Sequence, residues 1–128
     1  MMHILVVDDS KFARSRVKET ISTFDIECQI VEAVDGLEAL EAFNTGSFSV
    51  IMTDIEMPNM DGMTLLKEIR LINDIIPVII ISSIANEQIK QSVKSDKYTN
   101  YLKKPMNSNK LEMLLLQIQH RLSKGENI

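Results

Sequence analysis

The stretch ILVVDDSKFAR, residues 4–14, runs four aliphatic side chains straight into two adjacent acids. Ile4–Val7 has the unbroken apolar content of a strand covered on both faces. In the segment that follows, Ala13, Val17 and Ile21 recur at i, i+4 and i+8, the spacing of one helix face. Asp8 and Asp9 stand at the join. Neighbouring carboxylates repel each other and resist burial, so stability alone does not favour them there. Either the pair meets water and caps the helix, or a positive charge comes to sit between them.

The alternation of strand and helix repeats along the chain. Strands are expected at Gln29–Ala33, Val50–Thr53, Val78–Ile81 and Tyr101–Leu102, all read as continuous apolar runs buried on both faces. Helical spacing returns at Leu65, Ile69 and Ile72, and most clearly in the stripe Leu111, Leu114, Leu115, Ile118 and Leu122. Asp35 with Glu38 three residues on has the form of a capping box, and Asn86 and Asn107 are placed to cap later helices. Breaks fall at Met57-Pro58-Asn59, Asp61-Gly62 and Lys104-Pro105. Five strands alternating with five helices imply an α/β fold, a doubly wound parallel sheet covered on both sides. In such sheets the working crevice lies beyond the carboxyl ends of the strands, where their order reverses.

Composition narrows the function classes. The chain has 128 residues, 45% apolar and 25% charged, which fits one globular domain. A net charge of −4 without a Lys/Arg block argues against nucleic acid as a direct partner. No run approaches the roughly 20 apolar residues of a membrane span, and MMHILVV is not a signal peptide. The expected location is the cytoplasm. Cys28 is the single cysteine, expected to be a small buried hydrophobe. Residues 1–124 are expected to form the domain and 125–128 a short polar tail.

The strand ends carry the chemistry. The first expected strand ends at Asp8-Asp9, the third at Asp54, the fourth at Ser82-Ser83, and the fifth runs into Lys103-Lys104-Pro105. Three carboxylates on one edge need a cation. Oxygen-only donors without His or Cys suit a hard ion, Mg²⁺ or Mn²⁺. A divalent ion, a lysine and a hydroxyl around an aspartate form an arrangement for handling phosphate, with the aspartate as nucleophile. Each part alone has a bland reading as a cap, a surface lysine or a turn; the specificity lies in their joint order.

These residues resemble the response-regulator receiver domains of bacterial two-component signalling, the group that includes CheY. The resemblance is carried by VVDDS (6–10), DGLEAL (35–40), DIEMPNMDG (54–62), PVIIISS (77–83) and YLKKP (101–105), and covers essentially the whole chain. It implies strand order 2-1-3-4-5 and phosphoryl transfer to Asp54 from a sensor histidine kinase or phosphotransfer protein. Asp9 and Asp54 would bind Mg²⁺ directly, Asp8 largely through water, and the Glu56 backbone carbonyl would complete the protein ligands. Lys104 would pair with the phosphoryl group, beside a cis Lys104–Pro105 bond. Ser82 and Tyr101 would act as the switch pair, repacking the surface of the fourth helix, fifth strand and fifth helix for a downstream protein. The chain would be a phosphoacceptor rather than an enzyme on external substrates, working as a monomer or a phosphorylation-dependent dimer.

Three positions depart from the family pattern. Ser95–Thr99 replaces a common small Gly-Ala step, which leaves the end of the fourth helix open; Ser83 stands where alanine is common; Glu56 puts an acid two residues after Asp54. Met113 and Leu116 on the last helix, with Ile84 and Ile89 near the fourth, are candidate exposed apolar residues for a partner. Two rivals are a metal-dependent phosphatase with its nucleophile on the first strand and a receiver that binds partners without phosphate. Against the first, Ser10 stands where a second Asp is usual; against the second, Asp9, Asp54, Ser82 and Lys104 are all present. A chain ending one helix after the fifth strand is either a stand-alone receiver or a piece of a longer regulator.

Overall fold

The computed structural model describes residues 1–125. In chain order they form β1 (Met2–Val7), α1 (Lys11–Ser22), β2 (Cys28–Ala33), α2 (Gly36–Thr45), β3 (Val50–Thr53), α3 (Gly62–Ile72), β4 (Val78–Ser82), α4 (Glu87–Ser95), β5 (Thr99–Lys103) and α5 (Ser108–Ser123). All pairings are parallel, in the order β2-β1-β3-β4-β5. Among the described residues, no helix is long and apolar enough to cross a membrane.

Strand side chains alternate between faces, so each central strand feeds two cores. Leu5, Val7, Ile51, Val78 and Ile80 pack toward Ala39, Leu65, Ile69 and Ile89 of α2, α3 and α4. Ile4, Val6, Val50, Met52, Ile79 and Ile81 pack toward Ile21, Leu111, Leu115 and Ile118 of α1 and α5. Burying each such Val, Leu, Ile or Met side chain contributes about 1.5–3 kcal/mol. That burial holds the helices against the sheet.

Several expectations need adjusting. β2 is not buried on both faces: Val31 is 39% exposed and Glu32 is also exposed, because β2 is an edge strand with one free side. Ile72 is 55% exposed, being the last residue of α3, and Leu66 and Met63 fill that stripe instead. Ile89 is 1% exposed and belongs to the core, not to a surface patch. Asp35 caps α2 by accepting the Glu38 N–H at 2.8 Å, but the Glu38 carboxylate accepts from Val34, one residue before the cap. Asn86 and Asn107 cap α4 and α5 as expected, and Met113 and Leu116 are exposed. Cys28, expected to be buried, is only half-buried at the start of the edge strand β2, and what burial it has pushes its thiol up.

The departure at Ser95–Thr99 has a local solution. Asp96 ends α4, accepting from Arg70 Nε of α3 at 2.6 Å, Thr99 Oγ1 at 2.7 Å and the Tyr98 amide at 2.9 Å. Arg70 also donates to the Ile76 carbonyl at 2.7 Å and to Thr99 Oγ1 at 3.1 Å. Arg70, Asp96 and Thr99 form a polar knot at this corner. Of the expected tail 125–128, residues 126–128 lie outside the described residues.

Candidate functional site

Register brings the acids together. Val7 pairs with Thr53 across β1 and β3, so Asp8 and Asp54 are the next residues on adjacent strands, where strand order reverses. The Asp8 amide donates to the Ala33 carbonyl at 3.1 Å, and Asp8 Oδ1 accepts the Ser10 N–H at 2.9 Å. The Asp54 amide donates to the Val7 carbonyl at 3.0 Å, and Asp54 Oδ1 accepts the Ile55 N–H at 2.7 Å. Asp8, Asp9 and Asp54 each offer a carboxylate oxygen within 4.8 Å of the other two. Asp8 is buried, Asp54 intermediate and Asp9 exposed, so the cluster opens to water on one side.

Lys104 arrives from beyond β5. Its amide donates to the Ser82 carbonyl at 3.0 Å, and the following bond to Pro105 is cis. Its Nζ donates to Asp8 Oδ2 at 3.2 Å and to Asp54 Oδ2 at 3.3 Å. Burial pushes the Asp54 carboxyl above its ordinary value, outweighing the Ile55 amide and the Lys104 charge. Burial also works against the Lys104 ammonium, but Asp54 and Asp8 overcome it and raise its value. The lysine therefore stays charged and does not fully neutralise its acids. A hard cation on the open side would supply the rest, and oxygen-only donors fit Mg²⁺ or Mn²⁺.

The loop from Asp54 to Gly62 is held at both ends. Gly62 lies so close to the Asp54 carbonyl that a Cβ would overlap it. Asn59, at φ 68°, donates from Nδ2 to Asp35 Oδ2 at 2.7 Å, and the Gly36 amide donates to the Met60 carbonyl at 3.0 Å. Between these anchors Glu56 is exposed. Among the described residues its carboxylate has no hydrogen bond or ion pair, and its carbonyl accepts no main-chain bond.

The other expected residues stand apart from the acids. Ser82 is buried, with Oγ accepting the Ile84 amide at 3.1 Å and no bond to Asp54. The Tyr101 hydroxyl is shared between the carbonyls of Ser82, at 3.0 Å, and Ile84, at 2.9 Å. Its ring lines a groove of about 730 Å³ along α4, with Ile89, Lys90 and Val93. Ser83 is exposed. Arg14 is the residue that sequence reasoning missed: it is buried and donates from Nη1 to the Asp8 carbonyl at 2.7 Å. The signal was present, because Arg14 stands at i, i+3, i+7 with Val17 and Ile21, a cation on an apolar face.

The family model described as response regulator receiver domain matches residues 4–116. The chain belongs to that family. The receiver is 33% identical over 110 residues to the chemotaxis protein CheY of Treponema pallidum, covering 84% of this chain and 76% of that protein. It is 29% identical over 123 residues to the sensor histidine kinase RcsC of Salmonella typhi, covering 96% of this chain. The receiver spans 13% of that longer protein. Among solved structures it is similar to the Francisella response regulator 1452 receiver domain, with 31% identity and a TM-score of 0.82. That match covers 95% of this chain and 99% of the other.

Proposed function

We propose that this receiver accepts a phosphoryl group on Asp54 from a phosphohistidine of a sensor histidine kinase or phosphotransfer protein. The reading rests on one observation: Lys104 Nζ reaches both Asp8 and Asp54, at 3.2 and 3.3 Å, on the rim of three clustered carboxylates. Asp54 Oδ1 is committed to the Ile55 amide, which leaves Oδ2, beside Lys104, as the nucleophile. Oδ2 attacks phosphorus, the P–N bond breaks with its electron pair going to the imidazole, and an acyl phosphate forms. Lys104 then pairs with a phosphoryl oxygen.

Asp8, Asp9, Asp54 and the Glu56 carbonyl are the proposed ligands of Mg²⁺, with Mn²⁺ an acceptable substitute. Such an ion, when bound, neutralises charge on the phosphoryl oxygens. Ser82 would exchange its bond from the Ile84 amide for one to the phosphate. Tyr101, bonded to the carbonyls on either side of Ser83, is tied to the same loop and follows it. The α4–β5–α5 face then shifts population between two packings and meets a protein partner. The receiver assists its own phosphorylation and dephosphorylation and turns over no external substrate. Residues 1–124 make up this unit, in a cytoplasmic setting.

The small share of RcsC that the chain spans favours a second arrangement, the same chemistry inside a longer regulator. Acetyl phosphate with Mg²⁺ tests the reading. Intact mass rises by one phosphoryl group, and neither Asp54→Asn nor a chelated sample shows the rise. Equal labelling of Asp54→Asn overturns it.

A further inference from the structure

Arg14 is a buried cation that the phosphoacceptor chemistry does not use. It is 9% exposed and stands on the face of α1 that carries Val17 and Ile21. Burying a guanidinium costs more than burying an aliphatic side chain, and an apolar residue would serve there if α1 needed only to pack. Its fork instead joins the residue just after β1 to β2. Nη1 donates to the Asp8 carbonyl at 2.7 Å in a buried bond, and Nε donates to Glu32 Oε1 of β2 at 2.9 Å. Lys18 Nζ holds the other Glu32 oxygen at 3.2 Å. Arg14 and Lys18 keep the Glu32 carboxyl below its ordinary range, so it stays charged.

The accepting carbonyl belongs to the peptide that joins Asp8 to Asp9. Asp8 is already tethered through its amide to Ala33 and through Oδ1 to the Ser10 amide. The tilt of the next peptide plane sets the direction in which Asp9 leaves the chain. We propose that Arg14, oriented by Glu32, is a positioning residue that sets this plane and so aims both carboxylates at one divalent ion. Glu32 also offsets the Arg14 charge, which would otherwise oppose a cation at the site. The inference rests on the reading of the three acids as metal ligands.

Mn²⁺ binding to the full chain, followed by electron paramagnetic resonance of the free ion, tests it. Folding is checked for each variant by its amide NMR spectrum. Arg14→Met lowers Mn²⁺ affinity by about tenfold, the scale of lost support behind metal ligands. Arg14→Lys does not restore it, because one ammonium cannot reproduce the fork. Glu32→Leu, at a partly exposed position that tolerates change, lowers affinity several-fold. Glu32→Gln keeps an acceptor for Nε and recovers most of the loss, which neither a bulk charge effect nor general destabilisation would produce. The Ser10 amide resonance moves in Arg14→Met and Glu32→Leu and stays in place in the Lys18→Met control. A wild-type chain that binds no Mn²⁺ defeats the metal reading and this inference with it. Wild-type binding matched within twofold by Arg14→Met, or by Glu32→Leu where Arg14→Met does not fold, overturns this inference alone.

Discussion

At Asp54, burial and charge pull in opposite directions. Its carboxyl is raised because desolvation outweighs the Ile55 amide and Lys104. A raised acid in the folded state costs stability above its folded value, and the cost disappears as pH falls toward the unfolded value. Asp54→Asn, in chelator, is therefore expected to unfold about 1 kcal/mol harder than wild type at neutral pH. The gain should vanish in acid below the ordinary Asp value of about 4. Urea melts at both pH values check this, and an Asn variant that is less stable at neutral pH refutes it. Asp54 and the Asp8-Asp9 pair were legible in the sequence because, although each alone could be a cap, together they stand at the carboxyl ends of apolar runs that a parallel sheet brings to one edge. Arg14 was legible only as a cation on the apolar face of α1, since what it serves depends on a carbonyl that no pattern of side chains announces. Ser82 was legible as a hydroxyl at a strand end and its switch role by family likeness alone, while its bond from the Ile84 amide is set by the turn after β4.

Among the elements, α4 is the one whose end the sequence left open. The knot of Arg70, Asp96 and Thr99 closes it by joining the last turn of α3 to the start of β5. Burial works against the Asp96 charge, but bonds from Thr99, Arg70 and the Tyr98 amide prevail and lower its carboxyl. A lowered acid contributes stability that is full above the unfolded value and is lost as pH falls through the folded one. Asp96→Ala leaves Arg70 without its carboxylate and should cost about 2–3 kcal/mol at neutral pH, a deficit that shrinks in strong acid. In a double-mutant cycle with Arg70→Met the pair should show coupling of about 1–2 kcal/mol, and additive losses would refute the knot. The β3–α3 connection makes a separate demand. Gly62→Ala sets a methyl against the Asp54 carbonyl, so α3 or the loop must shift. It should destabilise by about 2 kcal/mol or more and slow labelling by acetyl phosphate as Asp54 is displaced. Strand cores were readable from their apolar runs, whereas β2's exposure followed from its edge position, which depends on topology.

For the molecule as a whole, the sheet's reversal between β1 and β3 puts acids separated by some 46 positions side by side. Those acids repel in the absence of a cation, and Lys104, 50 positions further on from Asp54, answers only part of the repulsion. A divalent ion held by Asp8, Asp9 and Asp54 would join the ends of β1 and β3 and bind the folded chain alone, because unfolding scatters its ligands. Linkage then makes stability rise with free ion, by about 2.7 kcal/mol at a hundredfold excess over Kd. Thermal melts across a Mg²⁺ series should show a midpoint climbing with log concentration, returning to its starting value when chelator is added. Asp9→Asn tests the cause with little structural cost, since Asp9 is exposed while Asp8 and Asp54 are tied into the sheet. That variant should start at or above the wild-type midpoint, having lost one repelling charge, and respond weakly to Mg²⁺. A midpoint that climbs equally in Asp9→Asn would mean the ion acts elsewhere on an acidic surface, and the convergence of strands would then serve some other purpose.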